Sequence, residues 1–232
     1  MSNPYNVSTG YTPVSAIGVE PRAAFISRTY NTLMGAIVGF TLFEIALFQS
    51  GIAQSIAGAL GGNWLIVLGA FMLVSWFASR VAISSESSAA QYAALAGFVM
   101  AEGLIFVPLL YMAETFAPGA TESAAVTTLL GFGGLTVVAF RTRKDFSFLR
   151  GMLMWGGVLA LVAIVSAILF GFALGTWFSV AMVGFAGAAI LYDTSNILHH
   201  YPQDRHVGAA LALFASVALM FYYILRLFIS RD

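Results

Sequence analysis

The stretch Gly151–Phe172, GMLMWGGVLALVAIVSAILFGF, runs for twenty-two residues without a charged side chain. At 1.5 Å per residue a helix of that length is about 33 Å long, enough to cross a bilayer core of about 30 Å. Its apolar residues do not alternate with polar ones, so it does not read as a barrel strand. Six more stretches meet the same test: Tyr30–Gln49, Trp64–Ile83, Tyr92–Met112, Ala124–Phe140, Trp177–Leu198 and Val207–Ile229. The pattern predicts an all-α integral membrane protein with seven transmembrane helices.

Composition agrees. Of 232 residues, 60% are hydrophobic and 9% charged, against roughly 25% charged in a soluble domain. Ten Lys/Arg balance ten Asp/Glu, which leaves no basic excess for nucleic acid. The absence of cysteine excludes disulfides, thiolate metal sites and cysteine nucleophiles.

Turn chemistry separates the spans. Gly61-Gly62-Asn63 precedes the second, Ala117-Pro118-Gly119 the fourth, and Pro202 lies between the sixth and seventh. Ser84–Ser88 offers hydroxyl caps to the third. Only the glycine-containing Gly171–Thr176 separates the fifth and sixth spans, which predicts a tight hairpin. Residues 1–27 are polar, with Pro4, Pro13 and Pro21. They lack the continuous apolar region of a secretory leader and are expected to form a flexible cytoplasmic tail ahead of a seven-helix domain, 28–232.

Basic residues set the orientation. With the N-terminus in the cytoplasm, Arg22, Arg28, Arg80, Arg205 and the cluster within Arg141–Arg150 lie inside, and only Arg226 and Arg231 lie outside. Seven crossings then leave the C-terminus outside.

Small residues are expected to mediate packing, with Gly35 and Gly39 as a GxxxG pair in the first span and Gly131, Gly133 and Gly134 in the fourth. Intramembrane polar residues are the candidate functional groups, because a charge within a span is costly and usually marks an ion or proton path. Asp193 stands sixteen residues after Trp177, about 24 Å along the helix. It shares a stripe with Ala186, Ala189, Asn196 and His200 that should face the bundle; the plainer reading is a solvated aspartate near the membrane surface. Glu102 falls near the middle of the third span, either as part of an ion path or as a protonated acid bonded to a neighbouring helix. Pro108, six residues on, can kink or open that helix. Glu44 reads as interfacial. Arg80, near the inner end of the second span, either snorkels to the surface or pairs with Asp193 as a proton-operated latch. His199, His200 and His206 lie in one connection. No other histidine is present, so a metal-dependent or Ser–His–Asp hydrolase is not expected, and no P-loop or dinucleotide fingerprint appears. Neither enzymatic activity nor a cofactor is expected.

Two segments carry a family resemblance. Gly187–Asn196, GAAILYDTSN, followed by a histidine-containing turn and AALALFASVALMFYYILRLF, resembles the end of Bax inhibitor-1 family proteins. Lys144–Leu149, KDFSFL, resembles the same family, as does Gly103–Pro108. The resemblance implies a last helix that is central and wrapped by the other six. It also implies, for some members, a pH-sensitive calcium leak in which two aspartates pair near a helix-two arginine. Asp193 matches the first aspartate. The second should fall in LFASVAL, where this chain has Ser216, and Arg80 is an approximate match to the arginine. A hydroxyl cannot share a proton as a second carboxylate does, and a calcium site would lose a hard oxygen ligand. The serine makes the chain look more like the bacterial YccA branch, whose members resemble modulators of the FtsH membrane protease. The expectations are therefore an inner-membrane cation (calcium) leak involving Asp193, Arg80, Glu102 and Ser216, or alternatively a non-transporting partner of an FtsH-type protease.

Overall fold

The computed structural model describes residues 13–16 and 18–230. Among them are eight α-helices: α1 (Val19–Gln49), α2 (Ile52–Gly61), α3 (Trp64–Ser84), α4 (Ser88–Phe116), α5 (Ala120–Thr142), α6 (Leu149–Phe170), α7 (Gly175–His199) and α8 (His206–Ile229). Seven are long and apolar enough to cross a membrane. The exception, α2, has ten residues and packs against α4, α1 and α3 on the far face of the bundle, where the sequence suggested a plain connection.

Local chemistry sets the boundaries. The Ser87 hydroxyl accepts from Ala90 N at 3.3 Å and caps α4. The turn after Pro118 uses Gly119 at φ 84°, and α6 stops at Gly171 with φ 70°, backbone conformations that a Cβ disfavours. α6 and α7 then pack as the expected hairpin. α4 passes through Pro108 as one uninterrupted helix.

α8 packs against α1, α3, α4, α5 and α7, with Val207, Leu213 and Leu225 fully buried. α6 instead packs chiefly on α7 and contributes no buried residue. Lipid is as apolar as leucine, so close packing holds such bundles together more than burial from water does. A ring cluster shows this: Phe106 stacks on Phe221 at 5.4 Å and meets Phe40 edge-on at 5.2 Å. Each such pair contributes about 0.5–1.5 kcal/mol.

The close-approach glycines differ from those expected. A Cβ at Gly35, Gly39, Gly133 or Gly134 would meet nothing within 4 Å, and at Gly131 only Met220 Sδ at 3.4 Å. At Gly103 it would lie 2.6 Å from Phe43 Cδ1, and at Gly156 2.9 Å from Phe185. At Gly208 it would lie 3.0 Å from the Ala82 carbonyl oxygen. Spacing within one helix does not reveal which face meets a neighbour, and the GxxxG pair faces a groove between α1 and α4.

α1 begins at Val19, ahead of the boundary expected after residue 27; residues 1–12 and 17 of the expected tail lie outside the described residues. The segment before α1 and the first turn of α1 are tied across the α7–α8 connection. Val14 N donates to Tyr201 O at 2.9 Å, Ser15 Oγ to His199 O at 2.8 Å and Arg22 Nη2 to Leu198 O at 2.7 Å.

Candidate functional site at the α7–α8 contact

Asp193 lies on the face of α7 that carries Met182, Ala186, Ile190 and Ile197, all buried. Small and apolar residues at helical spacing turn that face inward and carry the carboxylate with it. Asp193 is 9% exposed and Ser216, on α8, 8%. The Ser216 hydroxyl donates to Asp193 Oδ2 at 2.5 Å. Ser216 thus occupies the place expected of a second aspartate, and it supplies a hydrogen bond without a second charge. Thr194, the next residue, is fully buried, and its hydroxyl is grouped with those of Tyr30 on α1 and Thr136 on α5.

The other candidate residues do not join this pair. Arg80 is exposed on α3, with its guanidinium 5.8 Å from the Trp76 ring centroid, and it makes no ion pair among the described residues. Of the two readings of Arg80, the ion pair with Asp193 is not formed among the described residues, and the side chain lies at an exposed position of α3. Glu102 is buried at 8% exposure and lines a cavity of about 360 Å³ shared with Tyr222, Tyr223 and Arg226. Tyr222 and Arg226 stand six and ten residues beyond Ser216 on α8, about 9 and 15 Å along its axis. Glu102 and Asp193 therefore belong to separate levels of the bundle.

Glu44, expected at the interface, is buried against protein rather than exposed. It is 6% exposed, and both carboxyl oxygens are covered and lack a hydrogen-bond partner. Its Oε1 would lie 2.9 Å from a Cβ at Gly103, so the absent side chain on α4 is what admits it.

Sequence reasoning missed a second polar cluster, at the same end of the bundle as the α7–α8 turn. Ser195 Oγ accepts from Phe146 N at 2.9 Å, and His200 Nε2 lies 3.0 Å from Asp145 Oδ2. Ser147 N donates to Asp145 Oδ1 at 2.9 Å. Hydrogen bonds from Ser147, with a smaller contribution from His200, lower the Asp145 pKa to about 2. The segments KDFSFL and YDTSN thus bind each other; their polar residues, set apart in sequence, were the available signal. His206 meets the Tyr92 hydroxyl at 3.1 Å. Among the described residues no three metal-ligating side chains come together.

Comparisons with known proteins agree with this architecture. Residues 22–232 match the family model described as "Inhibitor of apoptosis-promoting Bax1". An uncharacterised Pseudomonas aeruginosa protein is 33% identical over 138 residues, covering 58% of this chain and 60% of that protein. The Escherichia coli K12 protein named "Modulator of FtsH protease YccA" is 35% identical over 113 residues, covering 44% of this chain and 51% of that protein. Bax inhibitor 1 of Schizosaccharomyces pombe is 29% identical over 230 residues, covering 93% of this chain and 80% of that protein. The matched region thus spans less than two thirds of the two bacterial relatives. Its seven apolar helices and the family match over residues 22–232 make this chain a membrane protein of the Bax inhibitor-1 family.

Proposed function

We propose that the protein is a passive, proton-sensitive cation leak pathway of a bacterial inner membrane, with calcium among its cations and the Asp193–Ser216 contact as its closed gate. The observation that carries this reading is the buried carboxylate held between α7 and α8 by a single hydroxyl. A buried acid is costly unless it has a role or a partner. An ionised Asp193 offers hard oxygens to a cation that displaces the Ser216 hydroxyl. Protonation removes that charge, so flux should fall as the pH falls. Having one carboxylate in place of two favours weak, poorly selective binding. The pathway catalyses no covalent step, and the N-terminus faces the cytoplasm by the distribution of basic residues.

Calcium flux into proteoliposomes tests the reading, with Asp193→Asn compared at neutral and acidic pH. Flux that depends on pH and is lost in the variant supports it. No flux above empty liposomes, from protein shown to be folded and inserted, overturns it.

A second reading, modulation of an FtsH-type membrane protease, is favoured by the likeness to the Escherichia coli protein of that name. Removing the residues before Arg22 tests whether the N-terminal segment mediates it. Unchanged degradation and unchanged co-purification with the protease would sink that version.

A further inference from the structure

We propose that the cleft lined by α1, α4, α5 and α8 binds a lipophilic primary amine, whose ammonium pairs with Glu44 while its apolar body fills the cleft. The cleft has a volume of about 440 Å³, and its walls include Phe40, Phe48, Leu129, Phe214 and Phe221. Its size falls within the range of about 300–1,000 Å³ usual for small-molecule sites, which are mostly apolar with a few polar anchors.

The wall chemistry selects the ligand. Thr41 and Thr128 turn their hydroxyls back to the carbonyls of Ile37 and Ala124, and Thr121 donates to Glu114 Oε1 at 3.1 Å. These groups are satisfied within the protein. Glu44 is not, since neither of its oxygens has a partner. Glu114 is a second acid in the wall, on the exposed part of α4, and no basic residue lines the cleft. Two acids, no base and an apolar interior fit a cation with an apolar body and disfavour an anion or a plain hydrocarbon. In this structure the Glu44 carboxyl is folded against Gly103. Rotation about its side-chain torsions turns it into the cleft to meet the ammonium, which offsets the cost of an unpaired buried charge. A neutral amine is equally acceptable, because a protonated Glu44 can pass it the proton and leave the same ion pair.

This inference is independent of the Asp193 reading and is tested by binding. The full chain in phosphatidylcholine nanodiscs is titrated with 1-aminoadamantane, and empty nanodiscs are subtracted. Saturable binding is expected, weakened about tenfold or more by Glu44→Gln, a change that removes an unpaired acid and preserves the fold. Ala125→Trp, which fills the cleft, should abolish binding. The neutral 1-adamantanol should bind more weakly and should not respond to Glu44→Gln. Equal binding of alcohol and amine would mark a generic acyl-chain crevice and overturn the proposal, as would an unchanged amine affinity in Glu44→Gln or no saturable binding. Repeating the titration with phosphatidylethanolamine in the nanodiscs identifies the source. Competition assigns the ammonium to the lipid headgroup and undiminished binding to a free amine, and either result is consistent with the site.

Discussion

Ser216 and Asp193 join the two most intimately packed helices of the bundle through one hydrogen bond of 2.5 Å. Ser216→Ala leaves the buried carboxyl without that donor and should cost about 1–3 kcal/mol, read as a lower unfolding temperature in detergent. Ser216→Asp adds a second acid at the same place. It should shift the pH dependence of any calcium flux relative to the parent protein, whereas Asp193→Asn should remove it. A Ser216→Asp protein with an unaltered pH profile would show that the pair does not control conduction.

The Asp145 cluster yields a stability prediction with a defined pH window. Its pKa, lowered to about 2, lies below the unfolded value of about 3.9. The stabilisation is therefore fully present above about pH 4 and is lost as the pH falls through 2. Asp145 and His200 are nearly half exposed, at 48% and 46%, so solvent screening limits the pair to about 0.2–1 kcal/mol. Asp145→Asn should lower stability by that amount at pH 6, and the difference from the parent should shrink below pH 4. Thermal unfolding at the two pH values checks both statements.

Glycine substitutions separate the observed packing from the expected one. Gly103→Ala places a methyl group against Phe43 and Glu44 and should destabilise by about 1–3 kcal/mol through overpacking. Gly35→Ala and Gly39→Ala meet open space and should be neutral or slightly stabilising, because alanine is the better helix former. Comparable losses at all three positions would contradict the α1–α4 contact described above.

Arg22→Ala removes the donor to Leu198 O. The segment before α1 then keeps only its own ties through Val14 and Ser15. Faster amide exchange at residues 14–16 is expected, with protection of α8 unchanged.

The spans were legible because hydropathy alone marks them: the expected Trp64–Ile83 and Val207–Ile229 differ from α3 and α8 by one residue each. The first span was cut short at Tyr30 because Arg22 and Arg28 end the apolar window while the helix continues back to Val19. Ser216 could be matched to Asp193 because motifs fix the register of both helices. Arg80 could not, since its helix carries no such marker. The burial of Glu44 was not legible because it depends on Gly103 of another helix, a relation that hydropathy does not record.

The outlying position of α6 has a topological consequence. α5 and α7 pack together and run in the same direction across the bundle. Parallel neighbours cannot be joined by a tight turn, so the chain must first travel back. α6 is that return stroke, the helical counterpart of a crossover between parallel strands. Apart from Gly156, against which Phe185 packs, and Ile164, Ala167 and Ile168, which line the Glu102 cavity, its sequence is constrained mainly by length and lipid solubility. Exchanging it for an unrelated apolar span that retains that glycine should leave the order of the remaining helices intact.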